Sequence, residues 1–266
     1  MESHFAGEIT LDDIAEAARV SRYHLSRAFG LATGFSVIEY LRGRRLSEAA
    51  RALARGAPDI LAVALDYGYG SHEAFTRAFR EEFDRTPEML RAQRSLDNIN
   101  LVEPIKMDEM PITPLAPPRF ENGTPLLIAG LGERYNCESS AGIPAQWQRF
   151  VPHLGRIAGQ MGQTAYGVCC NGDDAGNFDY LCGVEVADFS RLSRDWGRVR
   201  IAAQRYAVFC HREHISAIRK TWSAIWNTWL PGSGHEAADA PNFERYGEEF
   251  DPVTGMGGLE IWLPIK

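Results

Sequence analysis

Ser21-Arg22-Tyr23-His24-Leu25-Ser26-Arg27-Ala28-Phe29 is answered fifty residues later by Ser71-His72-Glu73-Ala74-Phe75-Thr76-Arg77-Ala78-Phe79. Both copies read Ser, three variable residues, a large apolar residue, a hydroxyl residue and then Arg-Ala-Phe, an internal repeat that organises the chain. Each copy predicts one short helix with Ser as its N-cap. Leu25, Ala28 and Phe29 share a face of the first, and Phe75, Ala78 and Phe79 share a face of the second. The opposite faces carry Arg22, Tyr23, Ser26 and Arg27 in the first helix and His72, Glu73, Thr76, Arg77 and Arg80 in the second. Exposed Arg, hydroxyl and aromatic side chains suit a helix lying in the major groove of DNA. Taken singly, either helix reads as well as an ordinary amphipathic helix with a solvated polar face.

The segments before each copy decide between those readings. In Ile9-Thr10-Leu11-Asp12-Asp13-Ile14-Ala15-Glu16-Ala17-Ala18-Arg19-Val20, Thr10 can cap a helix and Asp12 and Asp13 suit its N-terminus. Leu11, Ile14, Ala15 and Ala18 form its apolar stripe, and Arg19-Val20-Ser21 is a tight turn into the first copy. Asp59-Ile60-Leu61-Ala62-Val63-Ala64-Leu65-Asp66-Tyr67-Gly68 predicts a second short helix closed by glycine. Helix, tight turn and helix, twice over, is a pair of helix-turn-helix units.

Residues 8–94 resemble the DNA-binding domain of the AraC/XylS family of bacterial transcription regulators. The first unit carries the resemblance through Leu11…Ile14-Ala15…Val20-Ser21…His24-Leu25-Ser26-Arg27-Ala28-Phe29 and Thr33-Gly34-Phe35-Ser36…Tyr40-Leu41…Arg45-Leu46. The second carries it through Ile60-Leu61…Ala64…Gly68-Tyr69-Gly70-Ser71…Phe75-Thr76-Arg77-Ala78-Phe79…Phe83…Thr86-Pro87. The resemblance implies that Tyr23, Ser26 and Arg27 meet base edges in one major-groove segment, and that His72, Glu73, Thr76 and Arg77 do so in the next. It also implies RNA polymerase as a partner. The N-terminus departs from the family, in which a full helix precedes the first unit. Only Met1-Glu2-Ser3-His4-Phe5-Ala6 stands there, with Phe5 the one residue able to cover a core, so either that helix is a single turn or the start lies upstream.

The chain has 266 residues, room for about two domains, with 45% apolar and 24% charged residues. No run approaches the roughly 18 apolar residues of a membrane span and no signal peptide is evident, so a cytoplasmic protein without a membrane partner is expected. The five cysteines, Cys137, Cys169, Cys170, Cys182 and Cys210, form no Cys-x-x-Cys, which argues against a disulfide framework and a metal site and for small buried apolar residues. A net charge of −7 is awkward for a DNA binder. Residues 1–98 hold 13 Arg, no Lys and 15 Asp or Glu. Positive charge must therefore be focused locally, on Arg22, Arg27, Arg77 and Arg80, with Arg44, Arg45 and Arg51 as further candidates for phosphate contact.

Between the units, Ser36 to Arg55 predicts one long helix, with Gly43 a weak spot and Gly56 a stop. Its length, about 30 Å at 1.5 Å per residue, suits a spacer between adjacent major-groove faces about 34 Å apart. Thr86-Pro87 opens a closing helix that runs to about Leu96. The proline-rich stretch that follows, Asp97 to Arg119, is a linker or an extended lead-in to a sheet. The expected domains are therefore 1–97, an all-α double helix-turn-helix domain, and 119–266, joined by a linker at 98–118.

The second domain reads as an α+β fold of two β-α-β-β halves. The first half is strand 125–133, helix 145–157, strand 164–170 and strand 180–186. The second is strand 200–210, helix 214–229, strand 242–246 and strand 258–265. Two like halves put a cleft at their shared face. Tyr166-Gly167-Val168, Phe178-Asp179-Tyr180-Leu181-Cys182-Gly183-Val184-Glu185-Val186, Trp229-Leu230-Pro231-Gly232-Ser233-Gly234, Asn242-Phe243-Glu244-Arg245-Tyr246 and Leu259-Glu260-Ile261-Trp262-Leu263-Pro264 resemble the GyrI-like effector-binding domain. The resemblance implies that Glu244 sits in an aromatic-lined pocket facing a small-molecule effector, often an organic cation. Tyr166 and Tyr180 match aromatic positions of that family, and Trp147 and Trp226 are weaker candidates. Alternation puts Glu244 on one face of its strand and Phe243 and Arg245 on the other. A carboxylate turned inward loses hydration, which a hydrophobic cation would replace, with cation–π attraction of about 0.5–2 kcal/mol per ring. The competing reading pairs Glu244 with Arg245 or another Arg at the surface.

The expected function is a sequence-specific, DNA-binding transcription regulator that responds to a small, lipophilic cationic effector. The alternative is a GyrI-like hydrolase or toxin-binding activity in the second domain. No catalytic constellation, cofactor motif or metal site is evident, and two reading heads on one chain are compatible with a monomer.

Overall fold

The computed structural model describes Gly7 and residues 9–105, 115–136, 139–173 and 175–266. Phe5 with the short N-terminal segment, Cys137 and part of the expected linker lie outside the described residues. The chain divides into two compact units, one drawn from residues 1–22 and 35–110, the other from residues 23–34 and 111–266. Among the described residues, no helix is long and apolar enough to cross a membrane.

Six helices fill the N-terminal part of the described chain: α1 (Leu11–Ala18), α2 (Arg22–Thr33), α3 (Val37–Ala54), α4 (Ile60–Asp66), α5 (His72–Phe83) and α6 (Pro87–Gln93). Their ends follow local chemistry. The Thr10 hydroxyl accepts the Asp13 N–H while the Asp13 carboxylate accepts the Thr10 N–H, and Ser36 and Glu39 repeat this reciprocal cap at α3. Asp59, Ser71 and Thr86 cap α4, α5 and α6. Pro87 stands in the first turn of α6, where a missing N–H costs nothing. Past the end of α4, Gly68 takes φ +81°, the left-handed conformation that glycine reaches without strain.

In the first unit, α3 is the central strut. Its Leu46, Ala49, Ala50 and Leu53 pack against Ile60, Val63 and Ala64 of α4, Phe75 and Phe79 of α5 and Leu90 of α6. Phe75, Phe79 and Phe83, spaced one turn apart, meet edge to face at 5.4 and 4.8 Å. α3 has 18 residues, so it is about 27 Å long.

α3 runs unbroken through Gly43, the expected weak spot, and packing gives the glycine a reason. A Cβ at Gly43 would lie 2.6 Å from Cγ2 of Val102, so the missing side chain admits the segment that follows α6. That segment is fastened down: the Ser47 hydroxyl accepts the Val102 N–H (2.8 Å), and the Tyr40 hydroxyl accepts the Ile105 N–H (3.0 Å). Arg44, expected as a candidate for phosphate contact, is buried and donates to the Val102 carbonyl (2.9 Å) and to Glu48 (3.1 Å). Arg51 pairs with Glu48 and Glu103, and Arg45 donates to the Gly7 carbonyl. These arginines tie the unit together.

Among the described residues, the second unit is built on one antiparallel sheet of eight strands. In chain order its elements are β1 (Arg119–Gly123), β2 (Leu126–Tyr135), α7 (Ile143–Phe150), β3 (Gln160–Cys170), β4 (Phe178–Val186), β5 (Gly197–Ile201), β6 (Gln204–His211), α8 (Ile218–Ala224), β7 (Asn242–Tyr246) and β8 (Leu259–Ile265). The strand order is β1-β6-β8-β7-β3-β4-β2-β5. The two expected halves are β2-α7-β3-β4 and β6-α8-β7-β8. In each, the last strand lies between the first two, so β3 and β7 meet at the centre, with Ala165, Gly167 and Cys169 opposite Tyr246, Glu244 and Asn242.

Four details differ from the sequence reading. The strand expected over 200–210 is two strands, because β5 pairs with β2 at one end of the sheet while β6 pairs with β1 and β8 at the other. The helix expected over 145–157 ends at Phe150, where Pro152 sits in a tighter 3₁₀ turn and Gly155 takes φ +75°. β1 is an edge strand that begins where the expected linker or extended lead-in ends. The helix expected over 214–229 begins as α8 and continues through a wide π-type turn, Ile225–Trp229.

Substituting Gly43 with Ala tests the packing of α3. Helix propensity alone would favour Ala by about 1 kcal/mol. Overpacking against Val102 costs about 1–3 kcal/mol, so the expected outcome is a net loss of stability in urea denaturation. A stabilised variant would show that the 102–105 segment is not held against α3.

Candidate functional site

The seam between the two halves holds a buried carboxylate. Glu244, on β7, is 7% exposed. One of its oxygens accepts the Trp222 indole N–H of α8 at 2.8 Å. The other accepts the hydroxyls of Tyr180 on β4 (2.7 Å) and Tyr246 two residues along β7 (2.9 Å). Trp147 of α7 donates its indole N–H to the Tyr180 oxygen at 3.0 Å, extending the chain of donors. Its ring meets that of Tyr246 edge to face at 4.8 Å. Burial, with the neighbouring carboxylate adding to it, pushes the Tyr180 and Tyr246 hydroxyls well above the ordinary phenol range, so both remain neutral donors. Directly across the ladder stands Gly167. A Cβ there would lie 2.1 Å from the Tyr180 oxygen and 2.6 Å from a Glu244 oxygen, so only glycine leaves room for this cluster.

Glu244 lies at a cavity of ≈ 790 Å³ whose walls include Trp147, Phe178, Tyr180, Trp222, Tyr246 and Phe250, within the size range of small-molecule sites. All three donors to Glu244 are uncharged, and among the described residues no Arg or Lys forms an ion pair with it. The surface pairing with Arg245 considered from sequence is replaced: Arg245 bonds Glu260 on the other face (3.2 Å). Cys169 lies in the cavity wall, where burial pushes its thiol up to about 12 and keeps it neutral. Among the described residues no group of three His, Cys, Asp or Glu side chains is placed to hold a metal ion.

The sequence-derived effector residues do not all converge. Glu244, Tyr180 and Trp147 do. Tyr166 does not: its side chain lies on the opposite face of the sheet, in a cluster with Val168, Leu181, Tyr206 and Phe243, because it is one residue out of phase with Gly167. Trp226 is buried beside Trp222 but does not line the cavity. Trp222 and Tyr246, aromatic residues outside the expected effector set, join it by bonding Glu244. Alternation could have found Tyr246, two residues after Glu244, whereas nothing in the helical spacing separates Trp222 from Trp226.

The two repeated helices sit in different surroundings. On α5, Arg77 and Arg80 are exposed and line a shallow groove with His72, Glu73 and Thr76, while His72 also meets Glu88 at 3.0 Å. α2 is not presented in this way. Arg22 is exposed beside Asp12 (3.2 Å), but Tyr23, Ser26 and Arg27 belong to the second unit and line its cavity. The Arg27 guanidinium lies 4.7 Å from the centre of the Phe178 ring. Tyr23 accepts a hydrogen bond from the Asn242 amide and meets Trp226 edge to face at 5.7 Å. The face expected to be open to solvent is thus half-buried, because its aromatic and guanidinium groups find aromatic partners.

Comparison with known proteins finds two families along the chain, the first of which includes α2. Residues 14–93 match a family described as a helix-turn-helix domain, and residues 116–266 match the GyrI-like small molecule binding domain. The transcriptional regulator Rob of Salmonella typhimurium is 35% identical over 278 residues, spanning all of this chain and 95% of the relative. The right origin-binding protein of Escherichia coli K12 is 34% identical over 279 residues with the same coverage. The regulatory protein SoxS of Salmonella typhimurium is 37% identical over 91 residues, 34% of this chain and 85% of the relative. The chain belongs to the Rob-type transcriptional regulators, in which an AraC-type helix-turn-helix domain precedes a GyrI-like small-molecule-binding domain.

Proposed function

We propose that this protein is a sequence-specific DNA-binding regulator whose second unit senses a lipophilic organic cation in the cavity at Glu244. The observation that carries the effector class is the carboxylate itself. It is buried, satisfied by three neutral donors and free of any ion pair among the described residues, and it faces a space bounded by aromatic rings. Removing a carboxylate from water costs several kcal/mol, and neutral hydrogen bonds offset only part of that cost. A cation in the cavity supplies the missing counter-charge, and the ring faces add attraction. Double-stranded DNA is the partner of the helical part. Arg77 and Arg80 on the exposed face of α5 supply side chains that reach phosphates and guanine edges. RNA polymerase enters as a partner through the family.

Glu244→Gln keeps the shape and removes the charge. The expected outcome, read by quenching of the cavity tryptophans, is about a tenfold or greater loss of affinity for a lipophilic cation, with a neutral isostere bound unchanged. Equal loss for both ligands would make Glu244 a packing residue and sink the cation reading. Gly167→Ala should displace the Tyr180 hydroxyl from Glu244 and weaken the same cation; a variant that binds like wild type would show that this cluster does not hold the ligand. Arg77→Ala should weaken specific DNA binding by about 1–3 kcal/mol in gel-shift titrations. Wild-type affinity in that variant would remove α5 from the reading surface.

A further inference from the structure

The three residues of α2 that the repeat marks for base edges, Tyr23, Ser26 and Arg27, are wall residues of the effector cavity. The contact is specific. Asn242, two residues before Glu244, donates to the Tyr23 hydroxyl. His24 reaches the Trp226 carbonyl at 3.4 Å, and an Arg27 nitrogen lies 3.8 Å from Sγ of Cys169. Tyr23, Ala28 and Leu31 pack on the apolar cluster that contains Trp222, Trp226 and Tyr246. A helix that reads DNA must turn its recognition face into the groove with nothing in front of it. The same face cannot be turned to the cavity and to base edges at once.

We propose that α2 is a shared element with two exclusive seats: against the sheet of the second unit it completes the cavity wall and withholds its base-reading residues, and DNA binding lifts it off. The inference rests on the reading of α2 as a DNA-reading helix. Two local features make the seat accessible to experiment. Cys169 is buried with Arg27 against it, so its thiol reports whether α2 is in place. Gly172, in the turn after β3, is close enough to Tyr23 that an added Cβ would lie 3.2 Å from its ring carbons. A larger side chain there acts as a wedge that touches neither the DNA-reading residues of α5 nor the Glu244 cluster.

The test uses the full-length protein and a duplex selected from a random-sequence pool by the wild-type chain. Alkylation by N-ethylmaleimide is followed cysteine by cysteine, with buried Cys182 as the internal reference. Bound DNA should speed labelling of Cys169 about tenfold and leave Cys182 unchanged. Gly172→Leu should speed Cys169 labelling without DNA and tighten DNA binding about fivefold or more. Specific DNA binding that leaves the Cys169 rate at its free value, with Gly172→Leu binding like wild type, overturns the shared seat while the DNA-binding reading stands. Arg27→Ala is measured in parallel. If it binds the duplex like wild type, α2 is not a reading helix and the inference falls with that reading; weakened binding supports it.

Discussion

A carboxylate buried between two halves of one sheet needs partners, and the partners of Glu244 come from three elements. Tyr180 arrives from β4, Trp222 from α8, and Tyr246 from the same strand two residues on. Each must point its donor at one of two oxygens, which fixes how α8 lies over the sheet and which face of β4 is covered. Gly167 is the reciprocal condition. At the strand pair where the halves meet, one partner supplies the charge and the other leaves the space that its donors occupy.

The seam is also where the fold offers a cavity. Because β3 and β7 are the corresponding strands of their halves, α7 and α8 lie to either side of their junction and contribute Trp147 and Trp222 to a common wall. The result is a large space lined by aromatic rings, with the Glu244 carboxylate at the seam.

The two copies of the repeated helix show how little a motif settles about its surroundings. In α5, three phenylalanines at helical spacing anchor the buried face and leave Glu73, Arg77 and Arg80 in solvent. In α2, the corresponding polar face carries Tyr23 and, further on, Leu31, which find an apolar cluster with Trp226 at its centre. The apolar content of that face is visible in the sequence, but the surface that receives it is assembled from residues two hundred positions away.

What depends on a few adjacent residues was legible without coordinates. The capped helix starts at Thr10 and Ser71, the long α3, the two β-α-β-β halves and the burial of Phe75, Ala78 and Phe79 all follow from side-chain spacing and local hydrogen bonding. Alternation also separated Glu244 from Phe243 and Arg245 correctly. Register between strands and packing between helices were not legible, because they are set by contacts between residues far apart in the chain. Only the pairing of Gly167 with Glu244 shows that Tyr166 faces away from the carboxylate. Only the seating of α8 tells Trp222 from Trp226. The burial of Arg44 and the need for Gly43 likewise come from Val102, which returns across α3 after three further helices. Local spacing determined the elements and their apolar faces; the tertiary structure decided which of those faces meet, because a side chain's partner lies wherever the folded chain brings one.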